Sequence, residues 1–88
     1  MDIIAQIQSA VKANNVIIGH KKSVEYIKNN SPELVVIANN IEEDKKRELE
    51  HDAKISGVRV EVFEGSSKDL GIICGKPFPI SVLVIKSG

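Results

Sequence analysis

L34-V-V-I-A-N-N40 decides how this chain folds. Five apolar residues run without a polar break, and two asparagines then stop them. A strand with one solvated face alternates polar and apolar residues, whereas a strand covered on both faces reads as a continuous apolar run. I80-S-V-L-V-I85 has the same interior character. V58-R-V-E-V-F63 alternates strictly and reads as a half-buried edge strand whose charges guard it against pairing. V16-I-I18 is a fourth, shorter strand.

Helices are expected between these strands. Ile3, Ile4, Ile7, Ala10 and Val11 keep the spacing of an amphipathic helix. Asp2 is its expected N-cap, and Asn14-Asn15 ends it, since Asn tolerates the left-handed conformation. A second helix is predicted over Ser23–Lys28, burying Val24 and Ile27. Asn40 is expected to cap a long third helix, with Glu43 completing a capping box and Gly57 ending it. Its buried side should be Ile41, Leu49, Ala53 and Ile55 or Ser56, with Glu42–Lys46 and Glu43–Arg47 paired on its solvated face. Ser66 and Asp69 cap a short fourth helix carrying Leu70, Ile73 and Cys74, with Gly75 just past its end. Strict helix–strand alternation predicts an α/β fold, a sheet covered by helices on both faces.

Composition narrows the function. Eighty-eight residues make one domain, 1–88. Three aromatic residues, Tyr26, Phe63 and Phe78, are too few for a single-strand stacking platform. The single cysteine excludes a disulfide within the chain and a cysteine metal cluster, and suits a reducing compartment. No signal peptide is expected, and no apolar run approaches the ~18–20 residues that cross a bilayer. Net charge is zero, yet residues 1–32 set four lysines against Asp2 and Glu25, and residues 65–88 set three against Asp69. A basic surface forms if the two ends of the chain meet in space.

Chemistry is sparse. His20 and His51 have no evident partner and read as surface histidines, and Cys74 reads as core. G71-I-I-C-G-K-P77 is not a phosphate-binding P-loop: it is one residue short, ends in proline, and precedes a strand. With no acid, base or nucleophile in mutual reach, an enzyme is disfavoured. G19-H-K-K-S23 is the informative exception. Cations in a first helical turn are repelled by the helix dipole, at about 0.3–1 kcal/mol each. Either the helix starts later or an anion sits there. If the last strand runs antiparallel to its neighbours, the Gly19 loop, the Asn39-Asn40 loop and residues 75–79 line one sheet edge, where ligands bind. Lys76 would add charge, and Phe78 would be either core or an apolar contact for a splayed base. The set fits phosphate at a helix N-terminus and an irregular RNA.

G19-H-K-K-S23, L34-V-V-I-A-N-N40, I55-S-G57, V62-F-E-G65 and L70-G-I-I-C-G-K-P-F78 together resemble the archaeal and eukaryal large-subunit ribosomal protein thirty, type e, within the superfamily of kink-turn RNA binders. The resemblance spans nearly the whole chain. It implies a three-layer α/β/α sandwich with a four-stranded mixed sheet of order 1-4-2-3, the last strand antiparallel. It implies RNA contact by Ile18, Gly19, His20, Lys21 and Lys22, by Asn40 and Lys45, and by the apolar pair Phe78 and Ile80. Other branches of the superfamily carry Asn and Glu where this chain has Lys21 and Lys22. Relatives also carry a short tail beyond the last strand, whereas this sequence ends at Gly88.

The expected function is therefore a structural RNA-binding protein of the large ribosomal subunit, in the cytoplasm. It would be monomeric when free, need no cofactor or metal, and contact ribosomal RNA at a kink-turn or related internal loop beside neighbouring ribosomal proteins. One alternative keeps the fold but makes the chain a free-standing kink-turn binder acting on other RNAs. Another makes it a protein-interaction module pairing through the edge strand Val58–Phe63.

Overall fold

Leu34–Ile37 forms strand β2 and is buried at all four positions, as its unbroken apolar run requires. The computed structural model describes residues 3–86 and orders the chain as α1 (Ile3–Lys12), β1 (Val16–Ile18), α2 (His20–Asn29), β2, α3 (Glu43–Ser56), β3 (Val60–Val62), α4 (Ser67–Ile73) and β4 (Val82–Ile85). Like β2, β4 is buried throughout. The strands lie in the order β1-β4-β2-β3. β4 runs antiparallel to both β1 and β2, and β2 is parallel to β3. The two continuous strands are interior and the alternating strand is an edge, as expected from their patterning.

Side chains alternate across the central strands and so feed two cores. Leu34, Val36, Leu83 and Ile85 share a core with Ile7 and Ala10 of α1, Leu70 of α4 and Cys74 at the C-cap of α4. Val35, Ile37, Val82 and Val84 face Val24, Ile27 and Leu49 of α2 and α3. This is a three-layer α/β/α sandwich. Full burial of a Val, Leu or Ile side chain contributes about 1.5–3 kcal/mol, so the two central strands carry a large share of the stability.

Several boundaries differ from the sequence expectation. α2 starts at His20, not Ser23, so His20, Lys21 and Lys22 do occupy its first turn. α3 starts at Glu43 with Glu42 at the N-cap, and no side chain caps it. Asn40 therefore lies outside the helix it was expected to cap. Ile55 and Ser56, one of which was expected on the buried side, are both exposed, although Ser56 donates its hydroxyl to the Ile27 carbonyl at 3.2 Å. The expected Glu42–Lys46 and Glu43–Arg47 pairs are not closed among the described residues. Exposed pairs gain little in water and lose side-chain entropy, which explains their absence. The capping box of Ser66 and Asp69 is formed, and Asn14 has φ 56° as the asparagine ending α1. The N-cap expected at Asp2 lies outside the described residues. No helix among them is long and apolar enough to cross a membrane.

Candidate nucleic-acid interface

The antiparallel direction of β4 gathers the loops. The Gly19 N–H donates to the Val82 carbonyl at 3.1 Å, and the Ala38 N–H donates to the Ser81 carbonyl at 2.9 Å. The start of β4 thus lies between the loop after β1 and the loop after β2. The Ile80 N–H donates to the Ser67 carbonyl at 2.9 Å, which ties the segment before β4 to the start of α4. Three segments distant in sequence end at one edge of the sheet.

The first segment is cationic. Gly19 has φ 109° and ψ 148°, a conformation reserved in practice for glycine, and it turns the chain from β1 directly into α2. It has no side chain with which to cap the helix, and the first turn holds no acidic residue. Ser23 makes the first backbone bond, to the Gly19 carbonyl at 3.0 Å. Lys21 and Lys22 are exposed and in no ion pair among the described residues. His20 is not the surface residue expected: its side chain is half-buried, with Nε2 3.7 Å from Glu48 Oε2 on α3. Ile18 is half-buried and packs on the α1/α4 core, so its side chain faces inward. An alanine Cβ at Gly19 would meet no atom within 4 Å, leaving backbone strain as the only cost. Gly19→Ala is expected to lower stability by about 1–3 kcal/mol, measured as a fall in the urea midpoint.

The second segment is rigidly held. The Asn39 N–H donates to the Gly65 carbonyl at 3.0 Å, and the Ser67 N–H donates to Asn40 Oδ1 at 2.9 Å. Asn40 thus satisfies an amide at the start of α4, a different helix from the one expected. Lys45 is exposed as the third residue of α3.

The third segment presses against α4. A Cβ on Gly71 would lie 2.2 Å from the Phe78 carbonyl oxygen, so glycine permits this approach. Gly75, at φ 70°, turns the chain out of α4, and the Lys76 N–H returns to the Gly71 carbonyl at 2.9 Å. Phe78 is 49% exposed, which resolves its alternatives in favour of a surface ring. Ile80 is 2% exposed and belongs to the core beneath α4, so it supports the loop and offers no side chain to a partner. A groove runs beside Phe78, lined by Lys68, Ile72, Lys76, Pro77 and Pro79. Lys68 and Ile72 were not expected in the site. The signal available was Ile72 itself, an isoleucine set off the Leu70–Ile73–Cys74 side of its helix.

Cys74 is buried, and burial pushes its thiol above the ordinary range, with Lys76 partly opposing. The unfolded chain ionises this thiol first, so the thiol's contribution to stability is present below the ordinary thiol pKa and lost as pH rises above it. Iodoacetamide is expected to label Cys74 slowly in the native protein at pH 8 and rapidly in urea, as read by intact mass. No group of three or more His, Cys, Asp or Glu that could hold a metal occurs among the described residues.

Comparison with known proteins gives the family and the fold. A family model described as "Ribosomal protein L7Ae/L30e/S12e/Gadd45 family" matches residues 1–88. Large ribosomal subunit protein eL30 of Methanothermobacter thermautotrophicus is 44% identical over 98% of the chain and 88% of its own length. Two solved structures share the fold. One, of a protein with unknown function from Bacillus halodurans, has a TM-score of 0.88 at 21% identity, over 97% of the chain and 84% of its own. The other, the Giardia lamblia 15.5kD RNA binding protein, has a TM-score of 0.82 at 20% identity, over 98% of the chain and 72% of its own.

Proposed function

We infer the function from one premise: the chain belongs to the ribosomal protein L7Ae/L30e/S12e/Gadd45 family. It is an RNA-binding protein of the large ribosomal subunit and acts by binding, with no reaction of its own. Its RNA target is a kink-turn or related internal loop, which presents bent phosphates and unstacked bases together. One observation carries this reading. Exposed Lys21 and Lys22 stand in the first turn of a helix whose N-terminus has no side-chain cap and whose first turn holds no acidic residue. The helix field opposes their charge, and a phosphate placed there reverses the sign of that interaction.

Gly19 allows close approach of the RNA backbone, while Lys21, Lys22 and Lys76 neutralise phosphate. Phe78 packs against an unstacked base. Asn40 and Lys45 lie across the same edge of the sheet. The edge strand β3 is less suited to a partner strand: Arg59 and Glu61 pair with each other along it, and such charges disfavour strand addition.

A filter-binding titration against a kink-turn stem, with a straight duplex of equal length as control, tests the reading. Preference for the stem is expected, and equal binding to both would overturn it. Lys21→Ala should weaken binding and lower the log-affinity against log-salt slope by about 0.7–0.9. An unchanged slope removes Lys21 from the phosphate contacts. Co-sedimentation with large subunits at moderate salt tests the ribosomal site; presence in free fractions alone would favour a free-standing RNA binder.

A further inference from the structure

We propose that the outer side of α4 belongs to the RNA-binding surface: Ile72 closes over the same unstacked base as Phe78, and Lys68 holds a phosphate beside it. The proposal rests on the RNA-binding reading above and extends it to two residues outside the loops on which that reading stands.

Lys68 and Ile72 stand four residues apart on α4, and so on one side of it. Ile72 is 66% exposed, whereas Leu70 is wholly buried. A single exposed isoleucine needs no explanation. Ile72 is not single: it lines one groove with Phe78, Pro77 and Pro79. The other lining residues are Lys68 and Lys76, both exposed and in no ion pair among the described residues. No acidic residue lines the groove. Asp69, the acid next to Lys68, is committed to the cap of α4, where its carboxylate accepts the Ser66 N–H and hydroxyl at 3.2 Å each. An apolar slot between two free cations fits an occupant that is anionic and carries a flat apolar face between its charges. A nucleotide of an RNA chain is such an occupant. The groove of about 420 Å³ is large enough for one. A second groove, beside Ile4 and Val62, gives the contrast. Glu61 and Glu64 line it against Arg59 alone, and Arg59 is already paired with Glu61. Apolar exposure is common to both grooves, and only the one beside Phe78 has the charge to hold a polyanion. Its backbone is also ordered before any ligand arrives. The Lys76 N–H donates to the Gly71 carbonyl and the Ile80 N–H to the Ser67 carbonyl, each at 2.9 Å, so both ends of the 76–80 segment are fastened to α4. Pro77 and Pro79 fix φ on either side of Phe78. A preformed slot loses little entropy on binding. Ser67, beside Lys68, carries the amide that Asn40 accepts, so the groove borders the edge where the three segments meet.

The test uses the full chain, titrated with a kink-turn stem in filter binding. Ile72→Ala should melt with the unaltered chain, because the side chain is exposed, and bind the stem about tenfold more weakly. Lys68→Ala should lower the log-affinity against log-salt slope by about 0.7–0.9. Val62→Ala, in the other groove, should change neither quantity. Full affinity in Ile72→Ala would leave the groove to a protein partner and overturn the proposal. An unaltered slope in Lys68→Ala, or an equal loss in Val62→Ala, would overturn it as well. The shared base is tested on the RNA side, with each loop nucleotide made abasic in turn. At one position the abasic stem should bind the unaltered chain, Ile72→Ala and Phe78→Ala equally weakly, since the base that both side chains touch is gone. An Ile72→Ala loss that persists on every abasic stem, or that vanishes at a different position from the Phe78→Ala loss, defeats the proposal. Failure of the unaltered chain to prefer the stem over a straight duplex defeats the RNA reading itself, an outcome distinct from all of these.

Discussion

Gly71→Ala is expected to destabilise the chain by about 3 kcal/mol and to weaken RNA binding beyond that loss. The added Cβ would sit 2.2 Å from the Phe78 carbonyl oxygen and 3.4 Å from Pro79 Cα. Backbone held by two prolines cannot give way as a side chain would, so either α4 or the 75–79 segment must shift. Overpacking of a well-filled site ordinarily costs about 1–3 kcal/mol, and a main-chain clash belongs at the upper end. The shift also moves Phe78, the exposed ring of the site. Gly75→Ala is the control. Its φ of 70° disfavours alanine, but no atom lies within 4 Å of the new Cβ. It should cost only about 1 kcal/mol and leave Phe78 in place. Urea denaturation of both variants, with stem binding measured below the transition, separates strain from displacement. Equal destabilisation by the two would remove the close approach at Gly71 as the cause.

Reversing both lysines of the first turn should have the largest effect on binding. Hydrogen bonds to charged groups contribute about 1.5–3 kcal/mol each, so Lys21→Glu with Lys22→Glu should cost on the order of 100-fold to 10,000-fold in affinity for the stem. Stability should change in the opposite direction. Acidic residues suit the start of α2, and each replacement of a cation there is worth about 0.3–1 kcal/mol. A variant that melts higher and binds far more weakly separates the two roles of this turn. Retained binding would mean that the lysines are merely solvated.

These expectations rest unequally on sequence and structure. The continuous runs at Leu34–Ala38 and Ile80–Ile85 made the two interior strands legible, and the alternation over Val58–Phe63 marked the edge. Ser66 and Asp69 likewise announced the start of α4, since a capping box is complete within four residues. The order of the strands was legible only through the family resemblance. Nothing in the pattern of hydrophobicity states which interior strand pairs with which, or in what direction. At the site, Lys21, Lys22, Lys76 and Phe78 are exposed. Ile80, Ile18 and His20 turn inward.

Asn40 shows why the remainder was hidden. In the sequence it precedes an acidic helical turn, and local chemistry makes it that helix's cap. In the fold its oxygen serves Ser67, because parallel pairing of β3 with β2 and the bond from the Asn39 N–H to the Gly65 carbonyl bring the start of α4 beside the end of β2. Periodicity and capping act over a few residues, so composition and order of residues alone determined the elements, their buried faces and the charge on the first loop. Which loops meet, which of their side chains remain free, and which end of an amide faces outward are set by contacts between residues far apart in the chain. Those contacts exist only once the two cores have closed on the sheet.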